Sequence, residues 1–110
     1  MNQVSTYTAQ IFVGLRVGYS EEIHSLDEVR EVCSAYVNSV GLCVTVTPTE
    51  FIYVDGGEPG AVVGLINYPR FPATPADIEF HALELARALK DALGQNRVSV
   101  VFPHRTVMIE

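Results

Sequence analysis

Arg70, His104 and Arg105 stand out because the chain is otherwise poor in positive charge, with seven Lys and Arg against thirteen Asp and Glu. A guanidinium offers a planar fork of N–H donors that suits a carboxylate or a phosphate. Thr74, followed by Pro75, marks a helix start, where unpaired backbone amides and the helix dipole favour an anion. A neutral His104 adds a hydrogen bond that changes near its ordinary pKa of about 6.5. Arg70, Thr74, His104 and Arg105 are therefore expected to form a binding site for a small anion. The alternative for the two arginines is pairing with some of the thirteen acids.

A second group, Tyr19, Glu21, Glu22, His24 and Asp55, has the residue types of an acid–base or metal site. Glu21 and Glu22 are adjacent in a loop, however, so no spacing fixes their geometry. Gly56, Gly57 and Gly60 fall in a pattern, GGxPG, that matches no phosphate loop. His81 with Glu84 makes an i, i+3 pair at the border of a helix's apolar stripe. His24, His81 and His104 are too scattered for a three-histidine zinc site. Cys33 and Cys43 lack CxxC spacing and read as reduced, partly buried thiols. No catalytic residue, metal ligand or cofactor is expected from these patterns.

The elements that carry these residues follow from periodicity. Tyr7 to Val17 alternates, with Tyr7, Ala9, Ile11, Val13, Leu15 and Val17 on one side, which predicts a strand. Ser25 with Glu28 makes a capping box. The stripe Leu26, Val29, Val32, Cys33, Tyr36, Val37 and Val40 predicts a helix over 25–40, ended by Gly41. Residues 42–54 and 61–68 read as a β-hairpin around the turn residues Asp55–Gly60, with Pro48 marking an edge or a bulge. Thr74 and Pro75 open a second helix over 75–93, whose stripe is Ile78, Ala82, Leu85, Ala86, Leu89 and Leu93. Residues 97–102 form a fourth strand, and 106–109 are long enough for a short fifth.

The order β-α-β-β-α-β predicts one α+β domain over 1–110: a ferredoxin-like antiparallel sheet with two helices on one face and an extra C-terminal strand. Two sets of loops then gather at opposite ends. Gly18–His24, Asp55–Gly60 and Gly94–Asn96 lie at one. Asn67–Thr74 and Pro103–Arg105 lie at the other, which holds the expected anion site. The run Gly41-Leu42-Cys43-Val44-Thr45-Val46-Thr47-Pro48 before a long hairpin is similar in pattern to the second strand of the CutA family. The element order resembles that family and the PII signalling family, small ferredoxin-like proteins that trimerise. The resemblance implies a homotrimer. The PII loop sequences that hold ATP do not occur here, so the resemblance brings no ligand with it.

Phe12, Phe51 and Tyr53 fall on strand faces opposite the aliphatic sets, and Phe80 and Leu83 fall off the second helix's core stripe. An apolar open face of this kind suits packing against another subunit. The formal net charge of −6 disfavours nucleic acid and anionic membranes as partners. No leader peptide or membrane span is visible, so a cytoplasmic protein is expected. The function expected is a non-enzymatic oligomeric binding module that senses or sequesters a small anionic ligand at subunit clefts. The alternatives are an acidic interaction module, such as an inhibitor or adaptor, and a small acid–base enzyme of lyase or isomerase type. No proline follows Met1, which argues against tautomerases that use an N-terminal proline base.

Overall fold

The computed structural model describes residues 1–110. Its elements are β1 (Thr8–Gly14), α1 (Leu26–Val40), β2 (Thr45–Tyr53), β3 (Gly56–Ile66), α2 (Pro75–Ala92), β4 (Val98–Val101) and β5 (Thr106–Ile109). All strands join one sheet in the order β2-β3-β1-β4-β5, and every neighbouring pair is antiparallel. This is the split βαβ arrangement expected from the sequence, with β5 added beside β4.

Alternation along the strands sorts the sheet into two faces. Ala9, Ile11 and Val13 of β1, Ala61, Val63 and Leu65 of β3, and Val98 and Val100 of β4 are buried against the helices. From α1 they meet Val29 and Cys33, and from α2 Ile78, Ala82, Leu85, Ala86 and Leu89. Each Val, Leu or Ile among them contributes about 1.5–3 kcal/mol by leaving water. Phe12, Val62, Thr47 and Ser99 lie side by side on the other face, which no helix covers. No helix is long and apolar enough to cross a membrane.

The helix ends follow their local chemistry. Ser25 Oγ accepts from Glu28 N at 3.3 Å, and Glu28 Oε2 accepts from Ser25 N at 2.9 Å. Gly41 ends α1 in the left-handed region at φ 73°. Thr74 Oγ1 accepts from Asp77 N at 3.1 Å to start α2.

The structure moves several expected boundaries: β2 begins at Thr45 rather than at 42, and β3 ends at Ile66 rather than at 68. β1 stops at Gly14, and residues 15–24 fold into a loop held by His24 N donating to Leu15 O at 2.8 Å. β3 begins at Gly56 rather than at 61, so the hairpin turns on Val54 and Asp55 alone, with Asp55 at φ 60°. The glycines read as turn residues are strand residues. They are glycines because the Phe51 ring lies where a Cβ of Gly60 would be, and a Cβ on Gly56 would meet Tyr53 Cε2 at 2.7 Å. Pro48 sits within β2, an edge strand, where its missing N–H costs no ladder bond on the outer side.

Leu83 is also placed differently from expectation. It is half-buried and packs on the core, because α2 touches the sheet and α1 together and so buries a wider arc. Phe80 is 58% exposed, as its position off the stripe implies.

A polar latch ties the end of the chain to α2. Arg105 Nη2 donates to Glu79 Oε1 at 2.7 Å, the Tyr7 hydroxyl donates to Glu79 Oε2, and His104 Nε2 lies 3.9 Å from the same oxygen. The Tyr7 hydrogen bond first, and then that of Arg105, hold the Glu79 carboxyl below its ordinary value of 4.5. A carboxyl depressed in the folded state takes its proton more readily when unfolded. Its stabilising contribution is therefore present above the ordinary value and is lost as pH falls through the lower folded one.

Two outcomes follow. Leu89→Ala should cost about 2–5 kcal/mol in urea unfolding, because it empties a site with no exposure. The melting temperature should fall on acidification below about pH 4.5, and Glu79→Gln should flatten that fall. An identical pH profile in the variant would remove Glu79 as a cause.

Candidate functional site

The main concavity lies at the end opposite the latch. Outward residues of β1 (Phe12, Gly14) and β4 (Ser99) form its floor, and Phe51, Tyr53 and Glu58 of the β2–β3 hairpin form one wall. The loop after β1 supplies Arg16, Gly18 and Tyr19, and the turn after α2 supplies Gln95, Asn96 and Arg97. The cleft has a volume of about 460 Å³, within the range of small-molecule sites, roughly 300–1,000 Å³.

Its lining combines two chemistries. Phe12, Tyr19, Phe51 and Tyr53 offer aromatic surface for stacking. Arg16, Arg97 and Glu58 offer charge of both signs. Arg16 Nε lies 3.8 Å from Glu58 Oε2, beyond hydrogen-bond reach, and is a buried donor with no partner. A buried N–H left unpaired costs about 1–3 kcal/mol, and the nearby Glu58 carboxylate offsets part of that cost.

The Gln95 amide is fixed. Its Nε2 donates to Arg16 O at 2.7 Å and to Leu93 O at 3.2 Å. Gly14 permits a close approach: a Cβ there would lie 3.0 Å from Gln95 Oε1 and 3.5 Å from Glu58 Oε2, so both oxygens border the same side of Gly14.

The residues expected to hold an anion are distributed as follows. Arg105 and His104 come together, but on Glu79. The Arg105 guanidinium also lies over the Phe102 ring, 5.1 Å from its centroid. The Thr74 hydroxyl caps α2. The Arg70 guanidinium lies 5.8 Å from the Phe71 centroid and makes no ion pair.

Other candidate groups are engaged in the fold. His24 Nδ1 and Glu28 Oε2 are 2.7 Å apart beside the α1 cap, and the Ser25 amide and then His24 hold the Glu28 carboxyl below its ordinary range. Tyr36 Oη and His81 Nδ1 are 2.8 Å apart between the helices, and burial raises the Tyr36 pKa. Burial pushes the Cys33 thiol up to about 11, far from a reactive thiolate. No three His, Cys, Asp or Glu side chains converge as metal ligands.

Sequence reasoning missed Arg16, Glu58, Gln95 and Arg97. Arg16 carried a usable signal, because it falls on the outward side of the β1 alternation with Phe12 and Gly14. Glu58 was hidden inside an apparent turn.

No protein-family model matches the chain, and no curated protein matches it. Two solved structures share its fold. A phage SAM lyase in complex with S-methyl-5'-thioadenosine superposes with a TM-score of 0.78 at 18% identity, covering 99% of this chain and 92% of that one. A phage SAM lyase in the apo state gives 0.76 at 19% identity, covering 94% and 87%. At such identities the likeness is one of fold.

Proposed function

We propose that the cleft binds an S-adenosyl-type nucleoside and that the protein acts on S-adenosylmethionine as a lyase, leaving S-methyl-5'-thioadenosine. The observation that carries this reading is the pairing, in one cleft, of aromatic faces with charges of both signs. A purine stacks on rings such as Phe12, Phe51 and Tyr53. A zwitterionic amino-acid tail needs a cation for its carboxylate and an anion for its ammonium, and Arg16, Arg97 and Glu58 supply both. The shared fold with a phage SAM lyase that holds S-methyl-5'-thioadenosine supports the same ligand class.

The chemistry asks little of a protein base at the breaking bond. The bond between sulfur and the four-carbon arm breaks with its electron pair going to sulfur while an oxygen of the tail's own carboxylate bonds to the same carbon, so a sulfonium becomes a neutral thioether and the arm leaves as a lactone. The sulfonium's positive charge and the carboxylate's negative charge cancel in that step. Apolar aromatic walls, which solvate a cation less well than water does, favour it. The two arginines hold the tail in place, and Glu58 holds its ammonium away from the sulfur.

A homo-oligomer belongs to this reading. The cleft is open along the sheet, and Tyr53, Ile66 and Met108 remain about half exposed (54%, 48% and 51%). Ile52 and Val54 at the hairpin end are 80% and 90% exposed. A neighbouring copy that covers this apolar surface would also close the cleft. A second reading, a non-enzymatic module that sequesters a small anion, is favoured by the two guanidinium groups, Arg16 and Arg97, that line the cleft.

Calorimetric titration should detect binding of S-methyl-5'-thioadenosine. Incubation with S-adenosylmethionine should release that product, measured by chromatography. Arg97→Ala should weaken binding of S-adenosylhomocysteine about tenfold or more, the scale of a charge-assisted hydrogen bond, and should leave the melting temperature unchanged. Binding without product would leave the sequestering reading in front. Absence of any binding would overturn both.

A further inference from the structure

We propose that Gln95, beside Gly14 in the cleft, is the specificity residue that reads the amino group of the ligand's amino-acid tail. The inference rests on the S-adenosyl reading of the cleft and adds the subsite that distinguishes a tail bearing an ammonium from one without it.

The orientation of the Gln95 amide is set by its neighbours. Both of its hydrogen-bond partners, Arg16 O and Leu93 O, are backbone carbonyls, which only accept. The NH2 group must therefore face them, and Oε1 must face the other way, towards Gly14. The backbone holds the residue from the other side as well, since Gln95 N donates to Lys90 O at 3.0 Å. Oε1 itself accepts no hydrogen bond from the chain. It is a rigid acceptor already turned towards the cleft.

The space it faces has a second acceptor. Glu58 Oε2 borders the same side of Gly14, so one neutral and one charged oxygen lie close together on the cleft lining. A primary ammonium has three N–H donors and a positive charge, and it satisfies both oxygens at once. A ligand carboxylate is repelled from these two oxygens and directed to the guanidinium of Arg97, which lines the same cleft. The two ends of a zwitterion are thus sorted by position. The Gln95 oxygen is held in place before the ligand arrives, so little ordering cost offsets the bond it makes.

The test uses three ligands on the full chain by calorimetry. S-methyl-5'-thioadenosine has no tail, S-adenosylhomocysteine has the full tail, and the analogue of S-adenosylhomocysteine without its amino group has the carboxylate alone. The wild type should prefer the amino-bearing tail over its analogue by about tenfold, the scale of a hydrogen bond to a charged group. Gln95→Ala, which leaves Glu58 in place, should remove most of that preference and weaken S-adenosylhomocysteine far more than S-methyl-5'-thioadenosine. A cooperative thermal transition in the variant shows that it folds. An undiminished preference in Gln95→Ala, equal loss of all three ligands, or no preference in the wild type would overturn the role of Gln95. Failure of the wild type to bind even S-methyl-5'-thioadenosine would overturn the reading of the cleft itself.

Discussion

The register of β1 between β3 and β4 is the constraint on which the rest depends. Ile11 lies opposite Val63 and Val100, and Phe12 lies opposite Val62 and Ser99. Side chains alternate with a period of two, so a slip of one residue would send Ile11 and Val13 into water and Phe12 into the core. The buried row on one face therefore fixes the functional row on the other. The same pairing aligns Gly14 with Gly60, so this part of the floor has no side chain of its own and the Phe51 ring can lie over Gly60.

Glycine and aromatic residues divide the work at the hairpin. Phe51 and Tyr53 turn their rings onto Gly60 and Gly56 of the facing strand. The glycines lose strand propensity, and the rings restore the missing contact surface. This keeps an aromatic wall standing over the cleft without a hydrophobic residue beneath it. β2 and β3, at nine and eleven residues, outrun β1 at seven. The hairpin end consequently reaches past the helices, which accounts for the exposure of Ile52 and Val54.

Much of the fold was legible because its signals are local. The Ser25–Glu28 capping box, the Thr74–Pro75 start and the β1 alternation each lie within a few residues, and the structure contains all three. The hairpin turn was misplaced because five residues of turn-prone composition serve a packing need that only the facing strand reveals. The site was harder to read for a related reason. Gln95 matters because of a carbonyl on Arg16, 79 residues away in sequence. Arg105 meets Glu79 across 26 residues, a pairing that the count of acids allowed but could not locate. The positive charge visible in the sequence lies at the latch end, whereas the cleft gathers Arg16 and Arg97 from two distant loops.

The central claim is that the aromatic and zwitterion-matched cleft at the hairpin end is where a nucleoside binds. A crystal structure of the protein with S-methyl-5'-thioadenosine tests it most directly. The account predicts the nucleoside in the cleft floored by Phe12 and Gly14, with its purine against Phe51 or Tyr53. Density for the ligand at the Glu79–Arg105 end, with the cleft empty, would contradict it.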